Sequence, residues 1–285
     1  MQTKQRGSAW SINLAFTLYK LLGYKFIYYL MYPVTFFYFL FATNVKSSLK
    51  IYYERLEIPF TSFVYYEHLR MFAISMVDRF ISKYDSDSYV FECKNKKEIQ
   101  KIFENKTILL FSHFGGWSSC GNKPITDNTI NMVMQEVLLE GIKDIENSIE
   151  KKVKNTKIID ISKGPIPVSI EIANAISNDE IIAMMTDRTV NKKYKYEMNF
   201  LNKNAYFNEN PFKIAYRTKT PLLTHFTVYK DLQTYEVIAN ELIIDYTLNE
   251  KEAIKKAIKD YAKRFENILK QYPNQWFNFF DFWEK

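Results

Sequence analysis

The sequence has few of the residues that cross-link a chain or form tight turns. Its 285 residues include only two cysteines, Cys93 and Cys120, and seven glycines. Two cysteines provide no disulfide framework and fit a reducing compartment. So few glycines exclude a repeat array or a low-complexity chain. With three histidines and no cluster at metal-ligand spacing, the sequence predicts neither a metal site nor a cofactor. A chain of this length can bury a sizeable core.

Negative charge is missing from the amino-terminal region. The first fifty residues contain several lysines and one arginine but no Asp or Glu, and residues 26–45 form an uncharged run rich in Tyr and Phe that Pro33 interrupts. The run is about long enough to cross a bilayer, but its proline, tyrosines and flanking lysines equally suit the headgroup zone. A buried helix pair is the alternative. The charge asymmetry favours residues 1–53 as a membrane-associating helical segment.

The stretch Thr107–Asn122 carries the clearest local sign of a functional site. An apolar run with β-strand preference, residues 107–111, is followed by His113 and by the consecutive glycines Gly115 and Gly116. Ligands bind beyond the carboxyl ends of strands, and glycine lets a substrate approach the backbone closely. Imidazole is the natural general base near neutral pH. His113 is therefore a candidate base, and a purely structural histidine at a strand end is the alternative.

Hydrophobic periodicity predicts strands that alternate with helices. The clearest helix lies within residues 249–273, where apolar positions form one stripe and Pro273 ends the pattern. Further predicted helices cover residues 58–83, 94–105, 135–153 and 165–176 and one that begins at Asn210; predicted strands cover 107–111, 130–134, 156–161, 181–185, 221–229 and 235–244. The alternation indicates an α/β fold with a mixed central sheet flanked by helices. We expect residues 54–285 to form one domain.

Several motifs follow one another in the order of a known enzyme family. They are RGSAW near the start, HFGGW after an apolar strand, MMTDR at the end of a later strand, FNENPFKIAYRTKTPLL, and the terminal QWFNFFDFW. Together they resemble the lysophospholipid acyltransferase superfamily, and especially its bacterial lipid A late-acyltransferase branch. The resemblance implies an acyltransferase in which His113 takes a proton from an acceptor hydroxyl as that oxygen attacks an acyl thioester.

The sequence departs from that family at the acid of the motif. The resemblance implies an Asp or Glu after four intervening residues, whereas Ser118 occupies that position. A hydroxyl accepts a hydrogen bond from imidazole but does not balance the charge of imidazolium. Three explanations remain open: Ser118 suffices at some cost in rate, another carboxylate such as Asp187 takes its place, or the protein is inactive. The first two together are favoured, because loss of an orienting acid slows such a site without abolishing it.

The remaining motif residues also have more than one interpretation. The expected substrate-contacting residues are Gly115, Gly116, Trp117, Arg188 and Glu209, with backbone amides near the two glycines holding the oxyanion. Arg188 is suited to bidentate phosphate binding, but an Asp-Arg pair at a strand end is often a structural ion pair. Glu209 matches the glutamate of the family's phosphate-side turn, or it is simply an acid at a helix N-terminus.

The formal net charge of +7 favours acidic partners. An acyl-carrier protein and an anionic membrane surface both fit, whereas no nucleic-acid motif accompanies the lysines. Together with this charge, the resemblance implies acyl-carrier protein or acyl-CoA as donor, and a membrane lipid as acceptor, at the cytoplasmic face of the bacterial inner membrane. The alternative is a catalytically impaired lipid-binding membrane protein of the same fold. The terminal aromatic residues either line an acyl channel, enter lipid, or pack back on the core.

Overall fold

The computed structural model describes residues 9–135, 155–188 and 195–283. Its helices are α1 (Ala9–Phe41), α2 (Thr43–Arg55), α3 (Ser62–Tyr84), α4 (Lys96–Ile102), α5 (Pro165–Ser177), α6 (Asn210–Thr218) and α7 (Glu250–Gln271). Its strands are β1 (Val90–Cys93), β2 (Thr107–Phe111), β3 (Ile130–Met134), β4 (Thr156–Asp160), β5 (Ile181–Met185), β6 (Lys195–Phe200), β7 (Lys203–Asn208), β8 (Leu222–Asp231) and β9 (Thr234–Leu242).

Within these residues, seven strands form a sheet in the order β1-β9-β8-β2-β5-β3-β4, and β6 and β7 form a separate hairpin. The β8–β9 pair is antiparallel, and the other pairs in the large sheet are parallel. The predicted α/β fold with a mixed, helix-flanked sheet is therefore confirmed. Strand β2 lies at the centre and is almost fully buried, which is why its sequence is continuously apolar rather than alternating.

The sequence located most elements and missed three strands. The predicted strands at 107–111, 130–134 and 181–185 are confirmed at both ends. Helix α3 begins later than predicted because Thr61 caps it, accepting a hydrogen bond from the Val64 amide. Strand β1 and the β6–β7 hairpin were missed. The hairpin turn uses Leu201 and Asn202 at positive φ, without the glycine that usually marks such turns. The predicted helix at 135–153 lies outside the described residues.

Helix α1 presents a broad apolar surface to solvent. Its inner side buries Tyr24, Ile27 and Met31 next to α3. The exposed large apolar residues of α1 are Leu14, Leu21, Leu22, Phe26, Tyr29, Tyr32, Phe36, Phe37, Tyr38, Leu40 and Phe41. Among the described helices, none is by itself long and apolar enough to cross a bilayer. The helical residues 13–41 and 45–55 are long and apolar enough only when they are taken together, and the chain bends by 99° between them.

A buried carboxyl group ties α1 to the sheet. Asp78 of α3 accepts hydrogen bonds from the hydroxyls of Tyr24 in α1 (2.7 Å), Tyr89 (2.8 Å) and Tyr235 in β9. Burial raises the pKa of Asp78 to about 7, and the three hydroxyl donors oppose this only in part. Because an unfolded Asp titrates near pH ~3.9, the folded protein keeps a proton that the unfolded chain loses between these pH values.

This difference predicts a pH dependence of stability. The contribution of Asp78 is fully present below about pH 4 and is lost as the pH rises through about 7. In detergent, the urea midpoint of the wild type should therefore fall relative to that of Asp78→Asn between pH 4.5 and 8, since the amide does not titrate. Asp231→Asn, which removes a carboxylate at the exposed end of β8, is the control variant. If the difference in urea midpoint between wild type and Asp78→Asn stayed constant from pH 4.5 to 8, the prediction would be contradicted.

Candidate active site

Two neighbouring strands deliver His113 and Asp187 to the same edge of the sheet. Strands β2 and β5 are parallel, and Phe111 lies opposite Met185 at their carboxyl ends. His113 and Asp187 each lie two residues beyond this pair. The amide and the hydroxyl of Thr186 both donate to the Phe111 carbonyl at 2.8 Å, so the two chain segments stay together as they leave the sheet.

The side chains of His113 and Asp187 are in direct contact. Nδ1 of His113 lies 2.9 Å from Oδ1 of Asp187. Oδ2 accepts the His113 backbone N–H at 2.9 Å and the Trp276 indole N–H at 3.0 Å. The Asp187 side chain is 1% exposed and that of His113 is 19% exposed. The carboxylate is thus buried with donors on both oxygens, while the imidazole keeps one side open.

Charge and hydrogen bonding keep Asp187 ionised. Burial by itself raises the pKa of this carboxyl, but the positive charges of His113 and Arg188 and the hydrogen bonds from His113 and Trp276 outweigh it, and the net pKa is lowered. A carboxylate only accepts, so the Nδ1 of neutral His113 carries the proton and Nε2 carries the lone pair. No described residue forms a hydrogen bond with Nε2. This arrangement can take a proton from a hydroxyl.

The two glycines are required for packing, and their amides are occupied. Gly115 has φ +52°, and a Cβ there would lie 1.9 Å from the Thr227 carbonyl oxygen. A Cβ on Gly116 would lie 2.4 Å from the ring of Tyr235. The Gly115 amide donates to the Gln275 carbonyl and the Gly116 amide to that of Thr227, both at 2.8 Å. These two amides are thus hydrogen-bonded within the protein, and an oxyanion role for amides near the two glycines stays a prediction.

Ser118 does not take the place of the missing acid in this conformation. Its Oγ is buried and has no hydrogen-bond partner among the described residues, whereas Asp187 contacts the imidazole directly. Trp117 packs edge-on against His113, with 5.1 Å between ring centroids. Of the two partners left open by the sequence, Asp187 is thus the one that the structure brings to His113.

Arg188 and Glu209 lie in different surroundings. The Arg188 guanidinium donates weakly to the Phe277 carbonyl (3.4 Å) and lies over the ring of Phe280, 4.7 Å from its centroid. Its Nε is buried without a partner in the described part of the chain. Burial lowers the pKa of Arg188, although the charge of Asp187 opposes the shift. Glu209 precedes α6 and forms an ion pair with Lys213 one turn on, with no contact to His113.

A cavity of about 1540 Å³ opens next to His113. Its walls include Trp117, Ser118 and Arg188 and many apolar side chains from β2, β3 and β5. Among the described residues, its basic lining residues are Arg79, Lys83, Lys123, Arg188, Lys213 and Arg217, and no Asp or Glu lines it. Two of these side chains, Lys213 and Arg217, are ion-paired with Glu209 and Glu250. A large, partly apolar space with an excess of basic side chains suits an anionic molecule that carries hydrocarbon.

The other reactive residue types show no sign of taking part. Burial raises the pKa of the Cys120 thiol to about 11, so Cys120 is a poor nucleophile. His68 is fully buried in α3, and burial lowers its pKa to about 3. It is thus a core histidine. The terminal Trp276, Phe277, Phe282 and Trp283 pack back on the core. Sequence reasoning missed the contact of Trp276 with Asp187, because nothing in the aromatic pattern reveals it.

Comparison with known proteins gives one family. The sequence model described as bacterial lipid A biosynthesis acyltransferase matches residues 68–285. This range covers most of the chain and includes His113, Asp187 and the whole terminal aromatic segment. No curated protein sequence matches the chain significantly.

The glycine geometry gives a stability prediction. Gly115→Ala should lower the free energy of unfolding by about 3 kcal/mol or more, because the new Cβ meets a backbone carbonyl and the φ angle is unfavourable. Gly121→Ala is the matched control, because a Cβ there meets nothing within 4 Å. Urea unfolding in detergent measures both variants. Equal, small effects would show that the loop accommodates a side chain at position 115.

Proposed function

The chain belongs to the bacterial lipid A biosynthesis acyltransferase family, and we propose that it moves a fatty acyl chain from an acyl thioester to a hydroxyl of a membrane lipid, with His113 as general base. The family is that of acyltransferases acting on lipid A-type substrates. The observation that supports the role of His113 is its contact with the buried, ionised Asp187, which leaves Nε2 as the basic atom of the imidazole.

The proposed reaction has two steps. Nε2 of His113 takes the proton of the acceptor hydroxyl as its oxygen attacks the thioester carbonyl carbon. The tetrahedral intermediate then collapses, the carbon–sulfur bond breaks, and the proton held by His113 passes to the leaving thiolate. Asp187 stays ionised throughout and stabilises the transient imidazolium, as the orienting carboxylate does in hydrolase triads. Ser118, whose hydroxyl has no partner among the described residues, is proposed to donate to the substrate.

The charge of the cavity supports the choice of donor. Acyl-carrier protein and acyl-CoA both present their thioester on a phosphopantetheine arm, which carries phosphate. The buried Arg188 lines the cavity directly after Asp187 and has an unpaired Nε in the described part of the chain, so we propose that it binds a phosphate of donor or acceptor. The apolar walls are proposed to receive the acyl chain.

The surface of α1 supports attachment to the membrane. Its exposed aromatic and leucine side chains include Phe37 (63% exposed) and Phe41 (78% exposed), and the first fifty residues have basic but no acidic side chains. This combination suits the interface of an anionic bilayer. We propose that residues 1–53 hold the enzyme at the cytoplasmic face of the inner membrane, where a lipid acceptor reaches the cavity.

The catalytic assignment predicts the order of three variants. His113→Ala should abolish acyl transfer from labelled acyl-carrier protein or acyl-CoA into a bacterial lipid extract. Asp187→Asn should lower kcat by about 100-fold or more, because the imidazolium loses its counter-charge. Ser118→Ala should cost about 10-fold or less, because it removes one hydroxyl and no charge.

The same assay distinguishes the alternatives. Wild-type activity that survives in His113→Ala would show that the base is misassigned. A larger loss in Ser118→Ala than in Asp187→Asn would make Ser118 the partner of His113. Lipid binding without transfer by the wild type, from either donor, would support the catalytically impaired lipid-binding protein.

Membrane attachment is tested by substitution of the exposed face of α1. The double variant Phe37→Ser and Phe41→Ser should bind vesicles of phosphatidylglycerol and phosphatidylethanolamine about 10-fold more weakly, or worse, because each ring contributes apolar area to the interface. Ile243→Ser is the control, since Ile243 is 75% exposed and lies outside α1. If vesicle flotation showed the same loss of binding for the double variant and for Ile243→Ser, this would be evidence against a specific role of α1.

A further inference from the structure

The carboxyl-terminal segment pairs with the loop that carries His113. The Gly115 amide donates to the Gln275 carbonyl, and the Phe277 amide donates to the His113 carbonyl, both at 2.8 Å. Phe114 and Trp276 face each other across this short antiparallel pair. Residues 275–277 thus form a strand-like partner for the catalytic loop, although they lie far from it in sequence.

Trp276 is held within this segment from two sides. Its side chain is 1% exposed and packs edge-on against Phe265 and Phe282. Its carbonyl lies 3.0 Å from Nε2 of His68, and since a carbonyl only accepts, Nε2 carries the proton. Nδ1 of His68 then accepts from the Tyr53 hydroxyl at 3.0 Å. The backbone and ring of Trp276 are therefore both restrained, and its indole N–H points at Asp187.

We propose that Trp276 is a positioning residue of the acyl-transfer reaction, whose indole N–H holds the Asp187 carboxylate in the orientation that binds His113. This inference rests on the proposed function and adds a third member to the His113–Asp187 pair. Trp276 acts only through Asp187: its N–H bonds to Oδ2 at 3.0 Å, while Oδ1 bonds the imidazole at 2.9 Å.

Trp276 matters to Asp187 because a buried carboxylate that has too few hydrogen-bond donors is energetically costly. Without the indole, Oδ2 keeps only the backbone N–H of His113. A fully buried carboxylate that loses a donor becomes more basic. It also loses one restraint on its orientation, so the imidazole that it holds through Oδ1 is less well aligned with the acceptor hydroxyl. The more basic carboxylate holds the imidazolium more tightly, so the inactive protonated form persists to higher pH.

The test compares two buried tryptophans that differ in what their N–H groups contact. Trp276→Phe removes the donor to Asp187. Trp283→Phe removes the donor to the Phe200 carbonyl, at 3.0 Å, in the same aromatic cluster, where the two rings are 6.3 Å apart. The full-length protein in detergent is assayed for acyl transfer across pH, and each variant's Tm is recorded. Replacement of Trp276 by 3-benzothienylalanine, which keeps the ring shape and lacks the N–H, covers the case in which phenylalanine prevents folding.

We expect loss of the N–H at position 276 to lower kcat by about 10-fold, with KM changed by less than about 2-fold. The acidic limb of kcat/KM should move up by about half a pH unit or more. Trp283→Phe should leave the acidic limb of kcat/KM at its wild-type pH and change kcat by less than about 2-fold. If Trp276→Phe and Trp283→Phe lost kcat equally and neither moved the acidic limb of kcat/KM, Trp276 would be only a packing residue and the inference would be overturned. If His113→Ala transferred acyl groups as fast as the wild type, the proposed function itself would be refuted instead.

Discussion

The carboxylate of Asp187 is the group around which the site is arranged. A buried negative charge is costly unless several donors and a positive charge surround it. Here the donors come from two distant parts of the chain: the backbone and imidazole of His113 after β2, and the indole of Trp276 after α7. The central sheet and the terminal segment must both be in place before this charge is satisfied. The proposed chemistry therefore depends on completion of the fold.

The same loop is also connected to the amino-terminal helices. Ser75 of α3 donates to the Gly115 carbonyl at 2.8 Å, and Tyr235 packs against Gly116 while its hydroxyl reaches Asp78. Asp78 in turn accepts from Tyr24 of α1. A continuous set of hydrogen bonds and packing contacts thus runs from the helix with the exposed apolar face to the loop that carries His113. Attachment of α1 to a bilayer would place the cavity at a defined position relative to the lipid.

The loss of the usual acid after the histidine does not leave the imidazole without a carboxylate. Ser118 stands at the position where the family pattern has an acid, but the carboxylate beside His113 is supplied by the neighbouring strand. A carboxylate reached through a parallel strand pair is well positioned, because the register of β2 and β5 determines its distance from the histidine. The second of the three explanations considered for Ser118 requires such a contact between His113 and Asp187.

The sequence by itself determined the fold class, most strands and helices, and the candidate residues His113, Asp187 and Arg188, because these follow from local periodicity and from the order of motifs. It could not choose between Ser118 and Asp187 as the partner of His113. That choice depends on which strands lie side by side, and sheet order is a long-range property. The occupied amides of Gly115 and Gly116 and the contact of Trp276 with Asp187 were equally hidden, since their partners lie far away in the chain. Only the tertiary structure decided these points, because hydrogen bonds between distant segments leave no periodic signal in the sequence.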